Sequence, residues 1–223
     1  MSCPFLCNIA RISFLLLVLN LNHESLFAAP AADSISVTTV RTLVSQGNVS
    51  ALRNLGTGVL PVMVELYRTA GESDRASIAA AFYGLGWKSP EAKRALTPDV
   101  HTANQALRIQ VQYALGRVSS DSDVVELLLD NMQNDANPLF RDKAACALAY
   151  DQIHLTEREK VRLYDGLIQA LSDPKLDVRS IAALALSIQT GQTKGFNANG
   201  MPDQREASIR EWRKWLDEYR SRW

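Results

Sequence analysis

The sequence predicts an all-α protein in which antiparallel helix pairs stack into a right-handed solenoid with a superhelical twist. Three observations predict it. Four segments repeat one residue pattern at a period near 33, an amphipathic stretch precedes most of them, and short turn signals divide each pair. Composition agrees: 47% of the 223 residues are apolar and 22% charged, as in a folded globular chain.

Residues 1–31 read as a signal peptide. Arg11 precedes an apolar run from Ile12 to Leu21, and Ala29-Pro30-Ala31 fits an A-x-A cleavage site. A run of about ten residues is too short to cross a hydrocarbon core of roughly 30 Å. The expectation is export to the periplasm or exterior, with no stable membrane insertion after cleavage. Cleavage leaves Cys146 as the last cysteine, so the fold is expected to rest on its apolar core rather than on a disulfide. Residues 32–58 follow as an N-terminal helical cap. Within them SVTTVRTLVSQGNVSALRNLG (36–56) is a degenerate helix pair turning at Gly47-Asn48.

Residues 59–190 hold the repeats. RASIAAAFYG, RIQVQYALGR, RDKAACALAY and RSIAALALSI begin at Arg75, Arg108, Arg141 and Arg179, separated by 33, 33 and 38 residues. Six residues after each arginine stands alanine (Ala81, Ala114, Ala147, Ala185). One further on stands Phe82, Leu115, Leu148 or Leu186. On a helix of 3.6 residues per turn these share one side, where alanine admits a neighbouring helix and the larger residue fills the layer. The first members of the pairs are VLPVMVELYRTA from Val59, VVELLLDNMQ from Val124 and KVRLYDGLIQAL from Lys160. The second pair is less tidy, with SPEAKRAL and TPDVHT before its arginine.

The stretches DANPLFRDKAACAL (135–148) and DPKLDVRSIAALAL (173–186) resemble HEAT repeats of the short bacterial, HEAT-like type, in an armadillo-type fold. In both, an aspartate stands six residues before the arginine: Asp135 before Arg141, and Asp173 before Arg179. The resemblance implies that these residues form a ladder joining successive repeats. The two earlier repeats depart from it, with Thr69 and Thr102 at that position.

Chemistry is sparse. His101 and His154 fall in separate turns, and with one cysteine they do not supply the three or four clustered ligands of a zinc site. There is no G-x-S-x-G elbow, and the S-x-x-K letters of Ser172 to Lys175 fall in a repeat turn. Lys+Arg and Asp+Glu balance at 24 each, so no general attraction draws nucleic acid. No catalytic residue and no cofactor is expected.

Residues 191–223 form a loop and a C-terminal helix. TGQTKGFNANG (190–200) lacks the order of a phosphate-binding loop. Against a calcium loop with Gly200 at the sixth position, Asn197, Asn199, Asp203 and Glu206 fall on ligand positions, but Gly195 takes the first and has no side-chain oxygen. The whole segment 190–216 resembles the closing segment of bacterial HEAT proteins, which implies a Trp-rich capping helix. There Gly191 ends one helix and Pro202 starts the next. Ile209, Trp212, Leu216, Tyr219 and Trp223 recur at helical spacing, a packing stripe.

The function expected is a non-catalytic scaffold binding a protein partner on the concave face of the second helices. Gln110, Tyr113, Arg117, Lys143 and Tyr150 lie there, off the small-residue side. Two alternatives stay open. One is an accessory or lyase-like role on another protein's cofactor, because some HEAT-like families handle bilins. The other is a calcium-dependent module using residues 195–206.

Overall fold

Eleven α-helices and one 3-10 turn make up the secondary structure among the described residues, which are 35–150 and 155–223 of a computed structural model. The expected signal peptide, residues 1–31, lies outside them, as do His154 and the side chain of Tyr150.

Local chemistry explains where the helices begin and end. Ser36 and Asn48 accept from backbone N–H groups at the starts of α1 (Val37–Ser45) and α2 (Val49–Asn54). Gly47, at φ 64°, makes the turn between them. α3 (Val59–Thr69) and α4 (Glu72–Leu85) follow, and α4 stops at the left-handed Gly86. Ser89 and Pro90 open α5 (Pro90–Leu96), and a 3-10 turn, Thr97–Asp99, extends it. Asn104 caps α6 (Gln105–Val118); α7 (Ser122–Asn134) and α8 (Pro138–Tyr150) come next. Thr156 and Glu159 form a reciprocal capping box on α9 (Glu157–Ala170). α10 (Leu176–Thr190) ends at Gly191, φ 71°, and Pro202 is the first residue of α11 (Pro202–Arg220).

The helices form two layers. α4 packs on α6, α6 on α8 and α8 on α10; on the other side α3 packs on α5, α7 on α9 and α9 on α11. Between α5 and α7, Lys93 Nζ reaches Asp121 and Asp123, each at 2.7 Å. α1 and α2 lie against α3 and α4. The apolar partners of the repeat, Phe82, Leu115, Leu148 and Leu186, are buried between the layers. Gly116 brings α6 and α8 together: a Cβ there would stand 3.0 Å from the carbonyl oxygen of Ala147.

Three expectations are revised. Trp223 leaves the packing stripe, because α11 ends at Arg220 and Trp223 is 74% exposed. Cys146 is buried and disulfide-bonded, whereas the expectation of no disulfide assumed a chain without residues 1–31. The ladder also runs further than the six-residue spacing indicated, as shown below.

One core position breaks the small-residue rule. Four residues after the first three arginines stand Ala79, Gln112 and Ala145, all fully buried. Neither amide atom of Gln112 has a hydrogen-bond partner. A buried amide without partners costs about 1–3 kcal/mol. Gln112→Met keeps the volume and removes the polar atoms. It is therefore expected to raise the unfolding free energy by about 1–2 kcal/mol in urea denaturation.

Candidate functional site

Among the described residues, three of the repeat arginines pair with aspartates. Arg75 Nη1 donates to both oxygens of Asp99, at 2.9 and 2.7 Å, and the Tyr67 hydroxyl donates to the same carboxylate at 2.6 Å. Burial pushes the Tyr67 phenol up, and its bond to Asp99 adds to this, so the hydroxyl stays a donor. Arg108 pairs with Asp135 while its guanidinium lies over the Phe140 ring at 4.1 Å. Arg141 grips Asp173 with two parallel bonds, Nε at 2.7 Å and Nη2 at 3.0 Å. Its remaining nitrogen, Nη1, donates to the carbonyl of Asp135 at 2.8 Å.

Asp135 thus gives its carboxylate to the preceding repeat's arginine and its backbone carbonyl to its own. Asp173 does the same, its carbonyl accepting from Arg179 Nη1 at 2.8 Å. Arg179 meets no carboxylate among the described residues; its Nε donates to the carbonyl of Ala198 at 3.0 Å. This corrects the expectation at the second repeat. Thr102 does not take part, and Asp99, nine residues before Arg108, supplies the rung instead. The inserted 3-10 turn displaces the carboxylate from its usual spacing.

The residues proposed for partner contact lie on the second-helix layer. Tyr113 packs on Tyr83 of the preceding helix, ring centroids 5.7 Å apart. Burial pushes its phenol up, with the negative charge of Asp142 adding to it. Gln110 is half-buried on the same side of α6. Lys143, on α8, holds Asp142 at 2.6 Å. Arg117 has a different use: its guanidinium lies 5.2 Å over the Tyr83 ring, and Nε donates to the Tyr83 carbonyl at 3.5 Å. It therefore covers the negative end of α4 beside Gly86. Arg53 and Gln189 do likewise, donating to the carbonyls of Gly84 and Ala149, each at 2.8 Å. The sequence pointed to Tyr113 but not to Tyr83, whose ring completes the pair from another helix.

The 190–206 stretch belongs to the ladder and the cap. The Asn197 side chain accepts from Asn199 N at 3.0 Å, and Glu206 lies 3.7 Å from Arg213. Asn199 and Asp203 are exposed. Among the described residues no three His, Cys, Asp or Glu side chains gather as a metal site would require. Nor is any described helix long and apolar enough to cross a membrane. No protein-family model matches the chain, and comparison with curated proteins gives no match.

Proposed function

We propose that the chain is an exported α-solenoid of the HEAT-like type that binds a protein partner, without catalysis, along the second-helix layer. The Arg–Asp ladder supports the repeat architecture, since each rung joins one arginine helix to the turn before the next. The observation that carries the binding reading is the half-buried strip crossing α4, α6 and α8. Tyr83, Gln110, Tyr113 and Lys143 lie on it, outside the apolar core. A paired, already packed tyrosine offers a large contact area with little rotamer freedom to lose, which is the usual composition of interface anchors. Arg117 holds Tyr83 in place from the α4 terminus, so its contribution is to orient the anchor.

The test is affinity for a native partner isolated with the tagged protein from its own cell envelope. Alanine at Gln110, Tyr113 and Lys143 together is expected to weaken binding by roughly tenfold or more, equivalent to about 1.4 kcal/mol. The melting temperature is expected to fall, because Tyr113 packs on Tyr83 and Lys143 is paired with Asp142, so affinity is compared at a temperature where circular dichroism shows the variant fully folded. Unchanged affinity in the triple variant would discard the reading.

A further inference from the structure

The turn built by the ladder aspartates occurs once more, in the loop before α11. Asp135 and Asp173 each accept from the backbone N–H two residues on, that of Asn137 or Lys175, at 2.8 Å. Their carboxylates meanwhile meet Arg108 and Arg141. Asn197 repeats the turn, its side-chain oxygen accepting from Asn199 N at 3.0 Å. An arginine follows here too. Arg205 Nη1 donates to the carbonyl five residues before it, Gly200, as Arg141 does to Ala136 and Arg179 to Pro174. What is missing is the charge. The second polar atom of the Asn197 side chain is an amide nitrogen, a donor, and it has nothing to offer a guanidinium.

Arg179 bears the consequence. It is only 9% exposed, yet its hydrogen bonds go to backbone carbonyls alone. The edge with which Arg141 grips Asp173, Nε beside Nη2, holds in Arg179 a single carbonyl oxygen, that of Ala198 on Nε. Nη2 has no partner among the described residues. Unlike the unserved Nε atoms of Arg75 and Arg108, it is not sealed from water. Ala198 itself stands between the exposed Asn197 and Asn199, so this edge borders solvent. A charge so nearly enclosed is ordinarily paired. We infer that Arg179, the open end of the ladder, is a binding site for a carboxylate supplied from outside the chain, seated on Nη2 as Asp173 is seated on Arg141. The site does not depend on the tyrosine strip of α4, α6 and α8.

Acetate is the first probe, followed by heteronuclear NMR of the full chain at constant ionic strength, with chloride as the balancing anion. The resonances of Arg179 and of Asn197 to Gly200 are expected to shift saturably, with a dissociation constant below roughly 100 mM. Asn197→Asp supplies the carboxylate from within the chain. It is expected to weaken acetate binding at least about tenfold while raising the melting temperature, so the loss is not one of folding. Arg179→Met is expected to abolish the shifts. No saturation, the same shifts with chloride, or undiminished acetate binding to Asn197→Asp overturns the proposal. A second probe identifies the source of the carboxylate. It is a terminally blocked peptide copying residues 134–139, the turn whose aspartate already serves Arg108, beside its Asp135→Asn counterpart. Aspartate-dependent binding at least about tenfold tighter than acetate assigns the site to an acidic turn of a protein partner. Peptide binding no tighter than acetate assigns it to a small carboxylate anion.

Discussion

Arg141→Ala is expected to lower the unfolding free energy by about 3–5 kcal/mol, among the largest losses available to a single polar side chain here. The magnitude comes from what is left behind. Arg141 and Asp173 side chains are only 10% and 9% exposed, so alanine strands a carboxylate in a site with little water. The carbonyls of Asp135 and Ala136 also lose their donor. Arg179→Ala is the matched control. Its bonds go to the carbonyls of Asp173, Pro174 and Ala198, with no buried charge to orphan, and about 1–3 kcal/mol is expected. Equal losses in the two variants, measured by urea denaturation, would show that the carboxylate at Asp173 contributes nothing special. Replacing both ladder partners, Arg141→Met with Asp173→Leu, should recover part of the loss. The charge problem disappears while the two backbone carbonyls remain unserved.

The same rung shows what could be read from the sequence. Arginines at 75, 108, 141 and 179, each followed by alanine and a large apolar residue, were visible because helical period and burial are local properties. The helix ends were equally local: Ser89-Pro90, Thr156 with Glu159, and Gly191 act through their own backbone. Which arginine meets which aspartate is not local. Asp135 stands six residues before Arg141, yet its carboxylate goes back to Arg108, a choice made by the stacking of whole helices. Asp99 was hidden because an extra 3-10 turn moved it off the usual spacing. Arg117 illustrates the limit at the candidate site. Spacing put it on the second-helix face, but only the neighbouring helix could show that the end of α4 lies within its reach. Leu184 and Ile188 are the converse case. They continue an apolar pattern that reads as core, yet each is 44% exposed, in the register that Tyr113 and Arg117 hold on α6.

Trp212→Ala is the second large effect, expected to cost about 3–5 kcal/mol. Trp212 is 1% exposed, stands edge-to-face with Trp215 at 5.4 Å, and has Ile209 and Leu216 buried one turn to either side. It is the largest of the fully buried side chains, and the helix carrying it is the one closing the first-helix layer over α9. Truncation therefore removes both the apolar area and the filler of the space between α9 and α11. Lys194 Nζ lies 6.0 Å from the same ring, so the loop bearing the last ladder contact, Ala198, borders the same packing. The loss should be uneven along the chain. Hydrogen exchange is expected to accelerate first in α11 and α9, with α3 to α6 protected, because packing in this chain runs from each helix to near neighbours. Trp212→Phe separates packing from polarity. The indole Nε1 is buried without a hydrogen-bond partner, so phenylalanine gives up area but also removes an unmet donor. It should cost well under half of the alanine loss. A loss below about 1 kcal/mol for alanine, or exchange that quickens evenly across all helices, would mean that α11 is not what holds this end of the molecule closed.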